Sequence, residues 1–270
     1  MHDDEPIPRT DVPAADNTVL SPTCLALHGL GGGPYEIGPL IDALEADGLT
    51  VEAPILPGHE PKGPVMPASS WCDWATASEA AFDALAAGGR PVVVIGFSTG
   101  GTLALRLATR RPVARMILLA PFLAIRYSGL IPFRPASYLR YIARLNPNLP
   151  RRAPAVRDPL MRRWASGHDG FRTFNLHSTL SALELIDQVK LLVTGITTPT
   201  LIIQGRLDTV VEPTDAHWLY RQLGATAKAL VSLPRSDHLV ALDRDRQSAI
   251  AATLEFVRDG TLPRAPDREA

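Results

Sequence analysis

Three side chains of this sequence have the types that nucleophilic catalysis on a carbonyl group requires. Ser98 lies at the centre of a G-x-S-x-G motif, Asp208 follows it along the chain, and His238 comes last. A serine hydroxyl is a weak nucleophile at neutral pH, so it needs an imidazole to accept its proton and a carboxylate to orient that imidazole. The three residue types together therefore predict nucleophilic attack on a carbonyl group.

The elements predicted around Ser98 make its motif informative. A β-branched run, predicted as a strand over 91–97, leads into the serine, and a helix is predicted over 99–110. This context is typical of a nucleophile elbow, where Gly96 and Gly100 leave space at a strained turn. The alternative is that Ser98 only caps the helix, a common task for serine. The acid and the base that follow favour the nucleophile.

The acid and the base are each predicted just beyond a strand. Asp208 follows the strand over 200–204, and His238 follows the strand over 227–233. Parallel strands gather their active sites at their carboxyl ends, so both side chains are predicted at one edge of the sheet. Asp208 could instead be a turn residue, and Asp215 is a weaker rival because it falls inside the next helix. The other six histidines lie in the tail, before the serine, in a middle insertion or within a helix.

Negative charge on a tetrahedral intermediate needs backbone N–H donors. The amide of Thr99, directly after the serine, is one candidate, and the amide of Leu30 in the glycine-rich loop 28–33 is the other. Gly29 and the other loop glycines let the backbone turn an amide inward. His28 is predicted to bond loop backbone rather than transfer protons, because His238 is better placed for catalysis.

Short apolar runs alternate with longer amphipathic segments, which is typical of βαβ units around a parallel sheet. The runs are nearly continuous in hydrophobicity, as expected when helices cover both faces. The fold class is therefore predicted as α/β, with a mostly parallel central sheet of about six to seven strands flanked by helices. Strands are predicted over 23–27, 50–53, 91–97, 115–120, 200–204 and 227–233, and helices over 35–47, 71–87, 99–110, 214–223 and 244–258.

The segment 122–198 interrupts this alternation and is predicted to be an inserted, mainly helical cap, because it is too long for an ordinary connection. It divides a single core into 18–121 and 199–260, with tails predicted at 1–17, where the chain is expected to be flexible, and at 261–270.

Residues 122–172 carry ten arginines against two aspartates, a local balance of +8. Such a field could attract an anionic substrate or a membrane surface, although solvated arginines offset by the acidic tail would give the same count. One hypothesis is that the cap favours esters bearing a second carboxylate, such as half-esters of dicarboxylic acids.

Composition excludes several classes of protein. The chain has 270 residues, 46% of them apolar, which suits one large core. Its formal net charge of -1 gives no reason to expect nucleic acid as a partner.

The first residues lack the basic and apolar regions of a secretory signal, so a cytoplasmic location is expected. No uncharged apolar run approaches the roughly 18 residues that span a bilayer, so no membrane insertion is expected. The two cysteines have no metal-type spacing, and neither a metal nor a cofactor is predicted.

Five motifs together resemble the bacterial carboxylesterase and monoacylglycerol lipase branch of the α/β-hydrolase superfamily: HGLG at 28–31, LPGH at 56–59, GFSTGG at 96–101, QGRLD at 204–208 and SDHLV at 236–240. The resemblance extends from about 23 to 257. It implies a catalytic set of Ser98, Asp208 and His238, with the amides of Leu30 and Thr99 as oxyanion donors. It also implies that the histidine of the LPGH motif is structural.

The sequence thus predicts a serine carboxylic-ester hydrolase that forms an acyl-enzyme on small to medium acyl esters or monoacylglycerol-like substrates. A thioesterase, lactonase, acyltransferase or C–C hydrolase would use the same triad. A ligand-binding protein with little turnover is a third possibility. The expected partner is a small-molecule ester, and both a monomer and a homodimer remain open.

Overall fold

The computed structural model of the chain describes residues 21–60, 63–126, 135–168 and 170–263. The tail predicted over 1–17 lies outside the described residues. So do residues 127–134 of the predicted cap and most of the tail predicted over 261–270.

A six-stranded sheet forms the centre of the described structure. Its strands are β1 (Thr23–Leu27), β2 (Thr50–Glu52), β3 (Val92–Phe97), β4 (Arg115–Leu119), β7 (Thr200–Gly205) and β8 (Lys228–Leu233). Their spatial order is β2-β1-β3-β4-β7-β8, and every neighbouring pair is parallel. The prediction of a mostly parallel α/β sheet of six to seven strands is confirmed.

Helices cover both faces of the sheet, which explains the continuous hydrophobicity of the strands. Along β3, Val92 and Val94 pack into one apolar cluster, whereas Val93 and Ile95 pack into the other. The first cluster contains residues of α2 (Trp71–Ala86), α3 (Thr99–Ala108) and α7 (Pro213–Gln222), and the second contains residues of α1 (Gly38–Ala46) and α8 (Arg246–Asp259).

Local sequence signals set several helix boundaries. Helix α2 begins at a capping box, because the Ser70 hydroxyl accepts from the Asp73 amide while the Asp73 carboxylate accepts from the Ser70 amide. Helix α8 ends at Gly260, which takes the left-handed conformation that glycine tolerates. The helix predicted over 35–47 opens as a 3-10 turn, Pro34–Ile37, before α1 begins.

The proposed cap over 122–198 contains three described helices and a two-stranded antiparallel ladder. The helices are α4 (Pro135–Leu145), α5 (Pro159–His168) and α6 (Leu176–Lys190), and the strands are β5 (Asn148–Pro150) and β6 (Thr173–Asn175). The ladder was not predicted, because strands of three residues are too short to establish an alternating pattern. Helix α6 buries Leu185, Ile186 and Val189 in the same cluster as α2 and α3, so its inner face is part of the main core.

Because its strands are parallel, the sheet places the predicted site residues at one edge. The loop 28–33, Ser98, Asp208 and His238 all follow the carboxyl ends of their strands. Within the described ranges, no helix is both long enough and apolar enough to cross a membrane.

Candidate active site

Ser98 occupies a strained turn between β3 and α3. Its φ of 53° lies in a region that side chains rarely adopt, and its hydroxyl makes no capping hydrogen bond to α3. A Cβ added to Gly96 would overlap the carbonyl group of Gly100, and one added to Gly100 would overlap the carbonyl oxygen of Leu27. Glycine at both positions is therefore a steric requirement of this turn, which leaves the serine hydroxyl available for chemistry.

The structure brings the three predicted side chains into one hydrogen-bonded chain. The Ser98 Oγ lies 3.0 Å from His238 Nε2, and His238 Nδ1 lies 2.9 Å from Asp208 Oδ2. All three residues are buried, and Asp208 has no exposed surface. Because Nδ1 faces a carboxylate it carries the imidazole proton, which leaves Nε2 as the acceptor facing the serine hydroxyl.

Four donors hold the Asp208 carboxylate in place. The amides of Val210 and Val211 donate to Oδ1 at 2.8 and 2.9 Å, while Gln204 Nε2 donates to Oδ2 at 2.9 Å beside His238. Burial alone raises the pKa of Asp208, but the charge and hydrogen bond of His238 and the two amides outweigh it, so the pKa lies below its usual value. The acid is therefore ionised at neutral pH, and the rival Asp215 has no part in this arrangement.

The pKa of His238 is set by burial and by neighbouring carboxylates. Burial is the largest single influence and lowers the pKa, but the charge and hydrogen bond of Asp208, together with the charges of Glu36 and Asp237, outweigh it, so the pKa lies above the usual value. The imidazole also packs against Phe97, with ring centroids 5.0 Å apart. A base of this kind accepts the serine proton readily once the pH exceeds its raised pKa.

Buried carboxylates around His238 form a support that the sequence analysis did not identify. Asp237 accepts from the Thr209 amide at 2.8 Å, and Asp243 accepts from the Asp237 amide at 2.7 Å. Asp245 accepts from the Ser236 hydroxyl at 3.0 Å. The concentration of aspartates after Ser236 was the available signal. The Thr209–Asp237 bond ties the loop that carries His238 to the loop that carries Asp208, and the other two bonds brace the histidine loop against the residues that precede α8.

The two predicted oxyanion donors lie on either side of the turn. Thr99 is the first residue of α3, a position whose amide has no acceptor within the helix. Leu30 lies in the loop after β1, and the elbow packs so closely on this loop that a Cβ on Gly100 would also overlap the His28 carbonyl group.

His28 makes structural hydrogen bonds with both ring nitrogens. Its Nε2 accepts from the Leu56 amide at 3.0 Å, so Nδ1 carries the proton and donates to the Gly29 carbonyl oxygen at 2.9 Å. Burial, with a contribution from His59, lowers the pKa of His28 to about 3, so the ring stays neutral. His59 lies edge-on to His28, with ring centroids 4.9 Å apart, and its Nδ1 lies 3.2 Å from the Pro57 carbonyl oxygen.

Three arginines of the proposed cap reach the loops that carry the site. Each contacts a backbone carbonyl group of one of these loops and the carboxylate of a core residue. They are Arg126 on Asp208 and Glu212, Arg151 on Gly31 and Glu36, and Arg157 on Leu207 and Asp237. From the sequence these arginines were predicted only as part of a local excess of positive charge, because their contacts join residues far apart in the chain.

The side chains of Ser98, His238 and Asp208 suit proton transfer and nucleophilic attack. Among the residues that the structure describes, no group of three or more histidine, cysteine or acidic side chains could hold a metal ion.

Residues 20–245 match the model of the hydrolase family described as serine aminopeptidase, S33. The chain is 28% identical to a thermostable monoacylglycerol lipase of Bacillus sp. (strain H-257) over 239 residues, covering 86% of this chain and 88% of that protein. It is 42% identical to a pimeloyl-[acyl-carrier protein] methyl ester esterase of Aromatoleum aromaticum over 103 residues, 36% of each chain.

The structural neighbours have the same fold. A soluble variant of the monoglyceride lipase of Saccharomyces cerevisiae superposes with a TM-score of 0.76 at 14% identity, covering 92% of this chain and 89% of that one. These comparisons confirm the predicted α/β-hydrolase fold and the resemblance to carboxylesterases and monoacylglycerol lipases. The prediction of an enzyme of the serine esterase and lipase class is confirmed with them.

Proposed function

Because the chain belongs to the serine aminopeptidase S33 family of α/β-hydrolases, we propose that it hydrolyses carboxylic esters, with Ser98 as nucleophile, His238 as base and Asp208 as the orienting acid. The observation that carries the proposal is the chain of short distances from the serine oxygen through the imidazole to the carboxylate, 3.0 and 2.9 Å. Relatives named as lipases and esterases support an ester as the substrate.

The acylation step uses each of these groups once. Ser98 Oγ attacks the ester carbonyl carbon while His238 Nε2 takes the hydroxyl proton, and Asp208 stabilises the imidazolium that forms. The amides of Leu30 and Thr99 receive the negative charge that develops on the carbonyl oxygen. Collapse of the tetrahedral intermediate breaks the bond to the alkoxy group, which leaves as the alcohol with the proton from His238.

Deacylation repeats the sequence with water as the nucleophile. His238 takes a proton from a water molecule, the resulting hydroxide attacks the acyl carbon, and the proton returns to Ser98 Oγ as the acid leaves. The elbow keeps the serine at the carboxyl edge of the sheet throughout, so the two tetrahedral intermediates use the same oxyanion donors.

We propose small to medium acyl esters and monoacylglycerol-like esters as the substrate class, following the names of the relatives. Apolar side chains lie close to the reactive serine and suit an acyl chain. Phe174 of β6 packs against Gly31 of the loop 28–33, and Phe122, whose amide donates to the Ser98 carbonyl oxygen at 3.0 Å, lies just beyond β4.

Esters with a second carboxylate are a narrower candidate. The local charge of the cap favours them, although the substrate named for the pimeloyl-[acyl-carrier protein] methyl ester esterase relative has its second carboxyl joined to a carrier protein. Three of the cap arginines are already paired with core carboxylates, however, so less positive charge remains than the count of +8 suggests. We expect a half-ester to have a kcat/KM above that of its neutral diester, with the advantage falling as salt rises. Equal and salt-insensitive values would remove this candidate.

Burst kinetics test the main proposal. With a p-nitrophenyl butyrate pulse, an acyl-enzyme that is hydrolysed more slowly than it forms should give a burst of one p-nitrophenol per enzyme before steady turnover. Ser98→Ala should abolish both phases, whereas Ser166→Ala, which alters an exposed serine of α5, should change neither. Turnover that survives in Ser98→Ala would contradict the assignment of the nucleophile.

The alternative reactions of the same triad are separated by the substrate panel. To displace the proposal, one alternative reaction would have to show a higher kcat/KM than the hydrolysis of simple esters. These reactions are the hydrolysis of a thioester or a lactone, the cleavage of a C–C bond in a vinylogous substrate, and acyl transfer to an alcohol. A folded protein that a fluorophosphonate fails to label at Ser98 would instead favour a ligand-binding role. The cytoplasmic location and the choice between monomer and homodimer stay predictions.

A further inference from the structure

The loop that carries the Leu30 amide is wrapped around a buried carboxylate. Glu36 is 4% exposed, and its Oε2 accepts from the Gly29 amide at 2.9 Å. A Cβ added to Gly32 would overlap the same carboxylate, and one added to Gly29 would lie 3.1 Å from Oε2. Gly32 therefore leaves the space that the Glu36 carboxylate occupies, and Gly29 lies in tight contact with it.

The orientation of the Leu30 amide depends on the peptide group that it shares with Gly29. A trans peptide is planar, so fixing the Gly29 carbonyl group on one side fixes the Leu30 N–H on the other. The Gly29 carbonyl oxygen accepts from His28 Nδ1 at 2.9 Å and from the Gly32 amide at 3.3 Å. With Glu36 holding the Gly29 N–H, both ends of Gly29 are anchored before Leu30 begins.

The far side of Leu30 is anchored by the cap. Arg151, which directly follows β5, donates through Nη1 to the Gly31 carbonyl oxygen, and its Nη2 lies 3.9 Å from Glu36 Oε1. Its guanidinium lies 5.1 Å from the ring centroid of Phe174 on β6, and its side chain is 12% exposed. Both partners of this ion pair are thus largely removed from water, where an opposite charge nearby matters most.

We propose that Glu36 and Arg151 are positioning residues for the oxyanion loop, and that Arg151 makes the orientation of the Leu30 amide depend on the docking of the cap. This inference rests on the proposed ester hydrolysis. Glu36 alone would place a negative charge beside a developing oxyanion, and the Arg151 guanidinium offsets that charge. The pair therefore supports the transition state in two ways, through the position of an amide and through local neutrality.

The test compares transition-state and ground-state readouts in Arg151→Met, Glu36→Gln and the double variant. Loss of a whole oxyanion donor costs ~10²–10³-fold in kcat, so a misaligned donor should cost ~10–100-fold. We expect this loss in kcat for each single variant, with KM within about threefold of the wild type, and a matching loss in affinity for a boronic acid inhibitor. Arg151→Lys should recover part of the rate. The double variant should lose less than the product of the single losses, because the two residues act together.

A matched control removes an ion pair of similar chemistry elsewhere. Arg111→Met breaks the exposed contacts with Glu79 and Asp83 and should leave kcat and the boronic acid affinity unchanged. Should Glu36→Gln fail to fold, the Arg151 variants decide the question. Values of kcat within threefold of wild type in folded Arg151→Met, or a change confined to KM, would overturn the proposal.

A separate readout distinguishes this inference from the proposed function. Phosphonylation of Ser98 by a fluorophosphonate also develops negative charge on oxygen, so its rate reports the oxyanion loop whether or not any ester is turned over. A protein that hydrolyses no ester but labels more slowly in Arg151→Met would sink the proposed function and support the inference. Equal labelling rates in Arg151→Met and wild type would overturn the inference alone.

Discussion

Replacing Asp208 by asparagine should disable His238 without removing a side chain from the site. The two carboxylate oxygens accept from four N–H donors, namely two amides at Oδ1 and Gln204 with His238 at Oδ2. Asparagine has one acceptor oxygen and one donor nitrogen, so in either orientation its NH₂ faces N–H donors. The orientation that keeps the two amide bonds turns the NH₂ towards His238, whose Nδ1 must then accept and whose Nε2 must carry the proton.

A proton on Nε2 leaves the imidazole unable to accept from the Ser98 hydroxyl. Loss of the correct tautomer in a serine protease triad costs ~10⁴-fold in kcat, which corresponds to about 5.4 kcal/mol of transition-state stabilisation. We expect a loss of this size for Asp208→Asn, with little change in KM because the variant alters no apolar side chain near Ser98. The assay is kcat and kcat/KM for p-nitrophenyl butyrate on protein whose unfolding midpoint matches the wild type.

The pH profile gives an independent check on the same variant. His238 must be neutral to act as a base, so kcat/KM rises with pH through its pKa, which Asp208 holds above the ordinary 6.5. Removing the negative charge lowers that pKa, so the acidic limb of the residual activity should move to lower pH. A rate loss under tenfold, or an acidic limb that stays in place, would refute the reasoning about tautomer and charge.

Three further changes should follow from local packing. Gly96→Ala forces a Cβ against backbone atoms and should lower the free energy of unfolding by ~3 kcal/mol in urea titrations. Gly167→Ala, in open space on α5, is the control and should not be destabilising. Equal stabilities of the two variants would contradict the steric argument. Asp243→Ala strips the acceptor from several buried amides and should cost ~3 kcal/mol by the same titration; a change under 1 kcal/mol would argue against a support role. Gln204→Leu removes one donor from Asp208 and should lower kcat by ~10-fold, measured with p-nitrophenyl butyrate; an unchanged kcat would show that the other three donors suffice.

Local patterns explain which parts of the fold could be predicted. The central strands β1, β3, β4 and β7 are nearly contiguous apolar runs. Each catalytic candidate lies within a few residues of the end of its strand, so sequence spacing predicted them at one edge of the sheet. The βαβ alternation predicted parallel strands but not their spatial order in the sheet. For most strands of the central sheet and most flanking helices, the predicted and observed boundaries differ by one or two residues. An example is the strand predicted over 50–53 and observed at Thr50–Glu52.

Contacts between distant segments explain what the sequence did not reveal. Arg151 and Gly31 are 120 positions apart, and nothing in the neighbourhood of either residue indicates the other. Glu36 looked like an ordinary acid at the start of a helix, and only its burial against Gly29 and Gly32 distinguishes it. The ladder of β5 and β6 was missed because its strands are short and include Pro150. Pairing of this kind is set by three-dimensional packing and leaves no periodic trace in the sequence.

The arginines that join the cap to the catalytic loops also bear on how such an enzyme could change its substrate. A cap that contacted only substrate could be exchanged for another as a module, altering preference while the chemistry stayed intact. Here three arginines of the proposed cap contact the loops that carry the proposed catalytic groups. Arg126 contacts the loop of Asp208, Arg151 the loop of Leu30, and Arg157 the loop of His238. A cap grafted from a relative would carry new specificity into the protein together with slower turnover, unless arginines at these three places came with it.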